Sequence, residues 1–190
     1  MRPVVAATVE GMTPPGFARF EPDPPRARPS GPVMVRAATT GDLDAIREVQ
    51  EAAQREEVHA DALAAVIDDP DRCLVVAVVD GALVGWAKTH RYTDPDPVAP
   101  GGHYLGGVTV HPAARRRGAG HALTQARLDW VAERADVAWY VVNARNLASL
   151  ALHARFGFVE VARGAGFRGV LFDGGEGILL RADLPRRALA

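Results

Sequence analysis

The chain has 190 residues, a formal net charge of −1 and 48% hydrophobic residues. That length suits one domain with its own core, and the near-zero charge argues against a broad nucleic-acid-binding face. The longest strictly apolar run, Leu74–Val79, is far shorter than the roughly 20 residues of a membrane helix. We therefore expect a cytoplasmic protein with one active site and with neither a membrane nor a nucleic-acid partner.

The first 32 residues differ in composition from the rest of the chain. They hold eight of the fourteen prolines and show neither a strand period nor a helix period, which is typical of an extended or disordered arm. The folded domain is predicted over residues 33–184, followed by a tail over 185–190. Cys73 is the only cysteine, so no intrachain disulfide can form, and we interpret it as a buried apolar residue.

Up to residue 111 the pattern predicts a strand, two helices and three strands. Apolar residues recur at helical spacing after Asp42, whereas the later segments are rich in β-branched residues. Pro70 ends the second helix, and Asp80-Gly81 suits a tight hairpin turn. The predicted bounds are strand 33–35, helix 42–57, helix 61–69, strands 73–79 and 82–88, a loop over 94–102 and strand 103–111.

The remaining chain predicts alternating helices and strands. A long amphipathic pattern is followed by a buried apolar run, a short helix and two strands separated by a glycine-rich stretch. The predicted bounds are helix 118–134, strand 137–142, helix 147–155 and strands 158–162 and 177–181. This order fits an α/β domain built on a mixed sheet rather than a doubly wound fold.

The turn before the 118–134 helix has the properties of an anion site. The first N–H groups of a helix lack internal partners, and the helix dipole adds partial positive charge there. Gly118 and Gly120 leave the backbone open to close approach, and Arg115–Arg117 add charged donors. The segment contains neither G-x-G-x-x-G nor Gly-Lys-Ser/Thr, which argues against Rossmann and P-loop chemistry. A diphosphate is the predicted ligand.

Two blocks of the sequence resemble a known family. Arg115-x-x-Gly118-x-Gly120 resembles the coenzyme A pyrophosphate loop of the GCN5-related N-acetyltransferase (GNAT) family, and residues 146–158 resemble the helix that follows it. The likeness spans about residues 33–184 and implies a GNAT-type α/β fold, with a mixed sheet of about six to seven strands flanked by four helices. It also implies an acyltransferase that moves an acetyl group from acetyl-CoA to a primary amine by direct attack in a ternary complex, without a metal.

The resemblance assigns residues to the coenzyme. In the family, backbone groups of a strand pair with the pantetheine arm, helix-start amides hold the pyrophosphate, and an asparagine binds the arm. A backbone N–H such as that of Val108 would stabilise the oxyanion. The residues so implied are Val108, Thr109, Val110, Arg115, Arg116, Arg117, Gly118, Ala119, Gly120, His121, Asn146 and Ser149.

The resemblance also bears on the proton transfers. The family usually has a tyrosine at the position of His153, where it protonates the departing thiolate, so we predict His153 as the catalytic acid. Its alternative role is helix packing, because a neutral imidazole is a weak donor beside a thiol whose pKa is about 8.5. Some relatives use a glutamate base, but the matching residue here is Val141. His103, Tyr104 and His111 stay open as candidates for the base.

The acceptor and the assembly are less determined. A small-molecule amine is the predicted acceptor, with a protein amine as an alternative, and a homodimer is left open. The alternative function is a non-catalytic acyl-CoA-binding regulatory module, which an intact phosphate loop without a glutamate base would also suit. Amine-dependent turnover of the thioester would exclude that alternative.

Overall fold

The computed structural model describes residues 31–94, 96–172 and 174–185. The strands are β1 Met34–Ala37, β2 Leu74–Val79, β3 Ala82–Tyr92, β4 Gly102–Val110, β5 Val137–Asn143, β6 Val159–Gly164, β7 Gly166–Phe167, β8 Val170–Leu171 and β9 Gly177–Asp183. The α-helices are α1 Leu43–Ala52, α2 Ala60–Ile67, α3 Ala119–Ala132 and α4 Leu147–Ala154. The predicted arm, apart from Gly31 and Pro32, and the predicted tail, apart from Pro185, lie outside the described residues.

Seven strands form one mixed sheet in the order β1-β2-β3-β4-β5-β9-β6, which confirms the predicted fold class. Strands β4 and β5 run parallel, and their pairing ends at Leu105 opposite Tyr140. Beyond that pair, β4 stays beside β3 while β5 stays beside β9. The two central strands therefore separate at the Leu105–Tyr140 pair, and a cleft opens between them. This pair is called the fork below.

A bulge in the β3–β4 ladder accompanies the separation. The register shifts between Ala87 and Thr89, and a bulge bends the strands that carry it. Arg127 of α3 is fully buried there, and its Nη1 donates to the carbonyls of Lys88 (3.2 Å) and Gly106 (3.0 Å). Arg127 thus ties both bulged strands to α3 at the point where β4 leaves β5.

Helices cover both faces of the sheet. Leu128 and Val131 of α3 pack on the face that carries Leu105 and Tyr140, whereas α1 and α2 pack on the opposite face around Trp86. Cys73 lies in the core, as predicted, and burial raises the pKa of its thiol to about 11. None of the helices in the described ranges is long and apolar enough to span a membrane.

Two predicted boundaries are wrong by more than two residues, and one hairpin was not predicted. Helix α1 ends at Ala52 rather than near residue 57, because Gln54 takes a φ of 52° and the side chain of Gln50 donates to the Glu56 carbonyl at 2.7 Å. Strand β3 continues to Tyr92, because its ladder with β4 continues beyond the bulge. The glycine-rich stretch contains the hairpin β7–β8, whose two-residue strands are too short to show a period.

Candidate active site

A cavity of about 850 Å³ follows the cleft between β4 and β5. Arg115, Arg116 and Gly120 line it near the start of α3, and the backbone of residues 106–110 lines it along β4. On the side of the fork where β4 and β5 are paired, Tyr92 lines it. The loop after α1 forms a further part of the wall. This volume lies within the range of small-molecule and cofactor sites, and the elongated outline suits a long ligand.

The helix α3 presents its amide end to the cleft. Its first hydrogen bond runs from Ala122 N to the Gly118 carbonyl at 2.8 Å. The amides of Ala119, Gly120 and His121 precede that bond, so the helix offers them no carbonyl partner. Together with the helix dipole, these amides make the start of α3 a site for an anion.

Positions 118 and 120 favour glycine for different structural reasons. Gly118 has a φ of 88°, which residues with a Cβ rarely adopt. A Cβ added at Gly120 would meet only Leu152 Cδ2 at 3.6 Å, an ordinary contact. The protein's own packing therefore leaves room at residue 120, and the missing side chain keeps the wall open beside the amides. This arrangement fits a diphosphate that approaches the backbone closely.

Eight of the twelve predicted coenzyme residues lie on the cleft wall. They are Val108, Thr109, Val110, Arg115, Arg116, Gly120, Asn146 and Ser149. Arg117, Gly118, Ala119 and His121 do not line it. Ala119 is buried in the core and His121 stacks on Phe156 at 4.6 Å between ring centroids. Of these four residues, only backbone groups at the start of α3 are therefore placed for a ligand.

From Gly106 to Val110, one edge of β4 has no neighbouring strand among the described residues. Strand β5 pairs with β4 only as far as Leu105, so residues 106–110 expose backbone groups to the cleft. The Thr109 side chain turns to the other side and donates to Gln50 Oε1 at 2.9 Å. An extended ligand with amide groups can pair with such an edge as an added strand would.

Asn146 begins helix α4 at the opposite wall. Its Oδ1 accepts a hydrogen bond from Ser149 N at 3.1 Å and caps the helix. Its Nδ2 makes no hydrogen bond with any described residue. The capping bond fixes the side chain on the wall, so that Nδ2 is available to a ligand in the cleft.

Three side chains meet at the fork. Tyr140 Oη and Ser149 Oγ are 2.5 Å apart and share a hydrogen bond, and both residues line the cleft. The His153 ring stacks on Tyr140 with centroids 3.8 Å apart and planes at 13°. His153 itself is 0% exposed and is not part of the wall. Tyr140 is not among the residues predicted from the sequence, because its only signal there is one hydroxyl group in an apolar strand.

The surroundings of His153 fix its protonation. Burial lowers its pKa to about 4, so the ring is neutral at physiological pH. Nδ1 lies 2.8 Å from the Ser149 carbonyl, which can only accept, so Nδ1 carries the proton. Nε2 is buried and has no partner among the described residues. The predicted acid role of His153 stays a prediction, and this geometry offers no proton at Nε2.

The structure separates the candidates for the base. His103 is buried against Trp130 and does not line the cleft. Tyr104 and His111 do line it, but Tyr104 Oη donates to the Pro100 carbonyl at 2.6 Å and His111 Nδ1 accepts from Ala113 N at 3.2 Å. His90 also lies on the wall. It was not predicted from the sequence, because its position depends on the β3–β4 register.

Comparisons with known proteins bear on the identity. The family model described as "Acetyltransferase (GNAT) family" matches residues 43–158. No curated protein matches the chain. Similar solved structures include the ribosomal-protein-S18-alanine N-acetyltransferase of Escherichia coli, with 21% identity and a TM-score of 0.63 over 83% of this chain and 96% of that one.

Two further structures show the same fold. A phosphinothricin acetyltransferase of Sinorhizobium meliloti in complex with acetyl-CoA is 18% identical, with a TM-score of 0.63 over 80% of this chain and 88% of that one. The ribosomal-protein-alanine N-acetyltransferase of Brucella melitensis is 24% identical, with a TM-score of 0.63 over 80% and 99%. Because the family model matches most of the chain, including the turn before α3 and helix α4, the chain belongs to the acetyltransferase (GNAT) family and is an acetyl-CoA-dependent acetyltransferase.

Proposed function

We propose that the protein moves an acetyl group from acetyl-CoA to a primary amine by direct attack in a ternary complex. The observation that carries this proposal is the cleft itself, which connects the amide end of α3 to the fork between β4 and β5. Both reactants can bind along it at once, so that positioning supplies much of the rate. Cys73, the only thiol in the sequence, is buried in the core outside the cleft wall, which supports a reaction without a thiol acyl-enzyme.

We assign each part of the coenzyme to residues along the cleft wall. The pyrophosphate binds at the amides of residues 119–121, with Arg115 and Arg116 beside them, and the pantetheine arm pairs with the exposed edge of Val108–Val110. Asn146 donates Nδ2 to an acceptor on the arm, and a backbone N–H such as that of Val108 stabilises the oxyanion. His153 contributes to protonation of the departing sulfur through Tyr140, on whose ring it stacks.

The acceptor end of the cleft supports a small amine. Arg168, in the turn of the β7–β8 hairpin, donates to the carbonyls of Asp94 (2.6 Å) and Ala99 (2.7 Å). Its guanidinium also lies 4.9 Å from the centre of the Tyr92 ring. These contacts join two loops beside the acceptor end of the cleft, which leaves less room for an extended peptide than for a small molecule. A protein amine is the alternative outcome of the screen below.

The first test measures coenzyme binding. Acetyl-CoA is titrated by calorimetry into the wild type, into Gly120→Glu and into Gly41→Glu. A glutamate in the first turn of α3 is compatible with the helix dipole, but it places bulk and negative charge where the diphosphate binds. Gly41 is exposed in the turn before α1 and does not line the cleft, so it receives the same side chain as a control. Loss of binding in Gly120→Glu alone supports the assignment.

The second test measures turnover. Release of free thiol from acetyl-CoA is followed with a polyamine, with amino acids and with a peptide that has a free N-terminus. Acetylation of any of them, identified by mass spectrometry, supports the proposed reaction and names the acceptor class. Tight coenzyme binding without turnover across all classes would favour the non-catalytic acyl-CoA-binding module instead.

A further inference from the structure

The fork, where β4 and β5 separate, is where the thioester must lie if the proposed function is correct. The diphosphate site is at the start of α3, and the exposed edge of β4 leads from Val110 back toward residue 106. A coenzyme whose arm follows that edge presents its sulfur near the fork. The residue of β5 at the fork is Tyr140, paired with Leu105.

Tyr140 is held rigidly in that position. Its ring is stacked by His153 at 3.8 Å and meets Phe158 edge to face at 6.1 Å between centroids. Its hydroxyl shares a hydrogen bond with Ser149 Oγ, and the Ser149 backbone is in turn capped by Asn146. The hydroxyl is thus fixed by a strand, by a helix and by two rings, and both Tyr140 and Ser149 line the cleft.

His153 is poorly placed for the same task. Its one proton, on Nδ1, is donated to the Ser149 carbonyl, and its ring lies behind Tyr140 and outside the wall. A cationic ring would supply a second proton, but burial holds the pKa of His153 at about 4. Near neutral pH, His153 therefore supports the tyrosine ring and has no proton to give to the sulfur.

We infer that Tyr140 is the catalytic acid that protonates the departing sulfur, with Ser149 and His153 as its positioning residues. The amine nitrogen forms a bond to the acetyl carbon, and the carbon–sulfur bond breaks with its electron pair going to sulfur. Tyr140 Oη gives its proton to that sulfur, while Ser149 Oγ donates a hydrogen bond to the phenolate. The surplus proton on the new amide nitrogen leaves to water, and Tyr140 regains a proton from water.

The charges around Tyr140 suit this cycle. Burial raises the pKa of its hydroxyl, whereas Ser149, Arg127 and Arg55 oppose that rise. The hydroxyl therefore stays protonated at neutral pH and ready to donate. Arg127 from α3 and Arg55 from the loop after α1 place positive charge on the side where the phenolate forms, and His153 on α4 is neutral. The phenolate is thus stabilised for the short time in which it exists.

The first experiment measures the pKa of the thiol of bound coenzyme A, from the ultraviolet absorbance of its thiolate, and needs no acceptor. A hydroxyl that donates to the sulfur favours the thiolate and lowers the pKa of the thiol. We expect this pKa to rise by about one unit in Tyr140→Phe. Thr89→Val, which removes a fully buried hydroxyl outside the cleft wall, should leave it unchanged. An equal pKa in wild type and Tyr140→Phe would overturn the proposal.

The second experiment measures kinetics with the amine that gives the fastest turnover. Tyr140→Phe should lower kcat at least tenfold with little change in KM for acetyl-CoA, because the lost proton transfer belongs to the transition state. His153→Phe keeps the stacked ring and should lower kcat less than Tyr140→Phe does, whereas Thr89→Val should retain kcat within about threefold, which is under 1 kcal/mol in barrier height. A larger loss of kcat in His153→Phe than in Tyr140→Phe would also overturn the proposal. Absence of coenzyme binding in the wild type would instead reject the proposed function itself.

Discussion

The buried guanidinium of Arg127 donates a hydrogen bond of 3.0 Å to the Gly106 carbonyl, the first backbone group of β4 beyond the fork. Arg127 is 0% exposed, and its hydrogen bonds go to carbonyl oxygens and to the Thr124 hydroxyl. Desolvation lowers its pKa to about 10, so the group stays charged at neutral pH. None of the carboxylates in the described residues pairs with it, and a buried charge without a counter-charge is costly. Its position indicates that it holds the bulge, and through the bulge the cleft.

Replacement of Arg127 by methionine should therefore destabilise the fold. Methionine fills similar space, but the carbonyls of Lys88 and Gly106 lose their donor, and an unsatisfied buried acceptor costs about 1 to 3 kcal/mol. Relief of the buried charge offsets part of that loss, so we expect the free energy of unfolding to fall by about 2 to 3 kcal/mol in urea titration. The affinity for coenzyme A should fall as well, because β4 can then move.

Arg134 provides the matched control for this prediction. It lies just after the same helix, with a side chain that is 35% exposed and a carbonyl bond to Trp130 at 2.8 Å. Arg134→Met should cost less than about 1 kcal/mol, as is usual for a surface contact. Equal losses in the two variants would show that the bulge does not depend on Arg127.

The pH dependence of stability should report the burial of His153. Its folded pKa, about 4, lies below the value of about 6.5 expected in the unfolded chain. Between those values the unfolded chain binds a proton that the folded chain does not, so stability is complete above pH 6.5 and falls as the pH drops toward 4. One such histidine contributes up to about 3 kcal/mol to that loss.

His153→Phe removes the titrating group and keeps an aromatic ring against Tyr140. Guanidinium titrations at pH 7, 6, 5 and 4.5 should show a shallower loss of stability in this variant than in the wild type. His90, whose pKa burial also lowers to about 4, should maintain part of the slope in both proteins. An unchanged slope in His153→Phe would mean that His153 takes up its proton in the fold.

Some of these features could be predicted from local sequence and others could not. Asp80-Gly81 adopts φ angles of 50° and 79°, as the predicted hairpin requires, because turn chemistry depends on adjacent residues. Gly118 likewise takes a φ of 88° before α3, a conformation that glycine at that position allows. The grouping of Tyr140 with Ser149 and His153 depends on how α4 packs against β5, and a single sequence carries no local signal for that. The end of α1 likewise depends on a side chain, Gln50, that binds a carbonyl beyond the helix.

Low pH should also weaken the hydrogen bonds that Asp42 accepts just before α1. Asp42 accepts hydrogen bonds from both Nη atoms of Arg36 at 2.7 Å and from Thr39 N at 2.8 Å. The bonds from Arg36 lower the pKa of Asp42 well below its usual range. A lowered carboxylate pKa stabilises the fold fully above the unfolded value of about 3.9, and that contribution is lost as the pH falls further through the folded value.

Asp42→Asn should therefore cost about 1 to 2 kcal/mol at pH 7, because the hydrogen bonds from Arg36 lose the charge on their acceptor. The difference from wild type should shrink below about pH 4, because the wild-type carboxyl then becomes protonated too. Asp44, with a side chain that is 93% exposed, is the control, and Asp44→Asn should change stability by less than about 0.5 kcal/mol. A cost in Asp42→Asn that is independent of pH would contradict the ionic origin of this contribution.

Substitutions at Gly118 and Gly120 can separate effects on protein stability from effects on ligand binding. Gly118 has a φ of 88° and nothing within 4 Å of an added Cβ, so alanine there meets no clash but does meet backbone strain. Gly118→Ala should lower the free energy of unfolding by about 1 to 2 kcal/mol. Gly120 lies inside α3 with an ordinary 3.6 Å contact for a Cβ. Gly120→Ala should therefore leave stability unchanged or raise it by up to about 1 kcal/mol.

Denaturant unfolding of both alanine variants without ligand tests this contrast. If Gly118→Ala is as stable as the wild type, the turn relaxes to a negative φ at no cost, and its shape is not fixed before the coenzyme binds. If Gly120→Ala is destabilised, packing rather than ligand access explains the glycine there. The expected pattern, strain at residue 118 and tolerance at residue 120, would mean that the first glycine shapes the helix start in the free protein. Gly120 would then matter only for ligand binding at the start of α3.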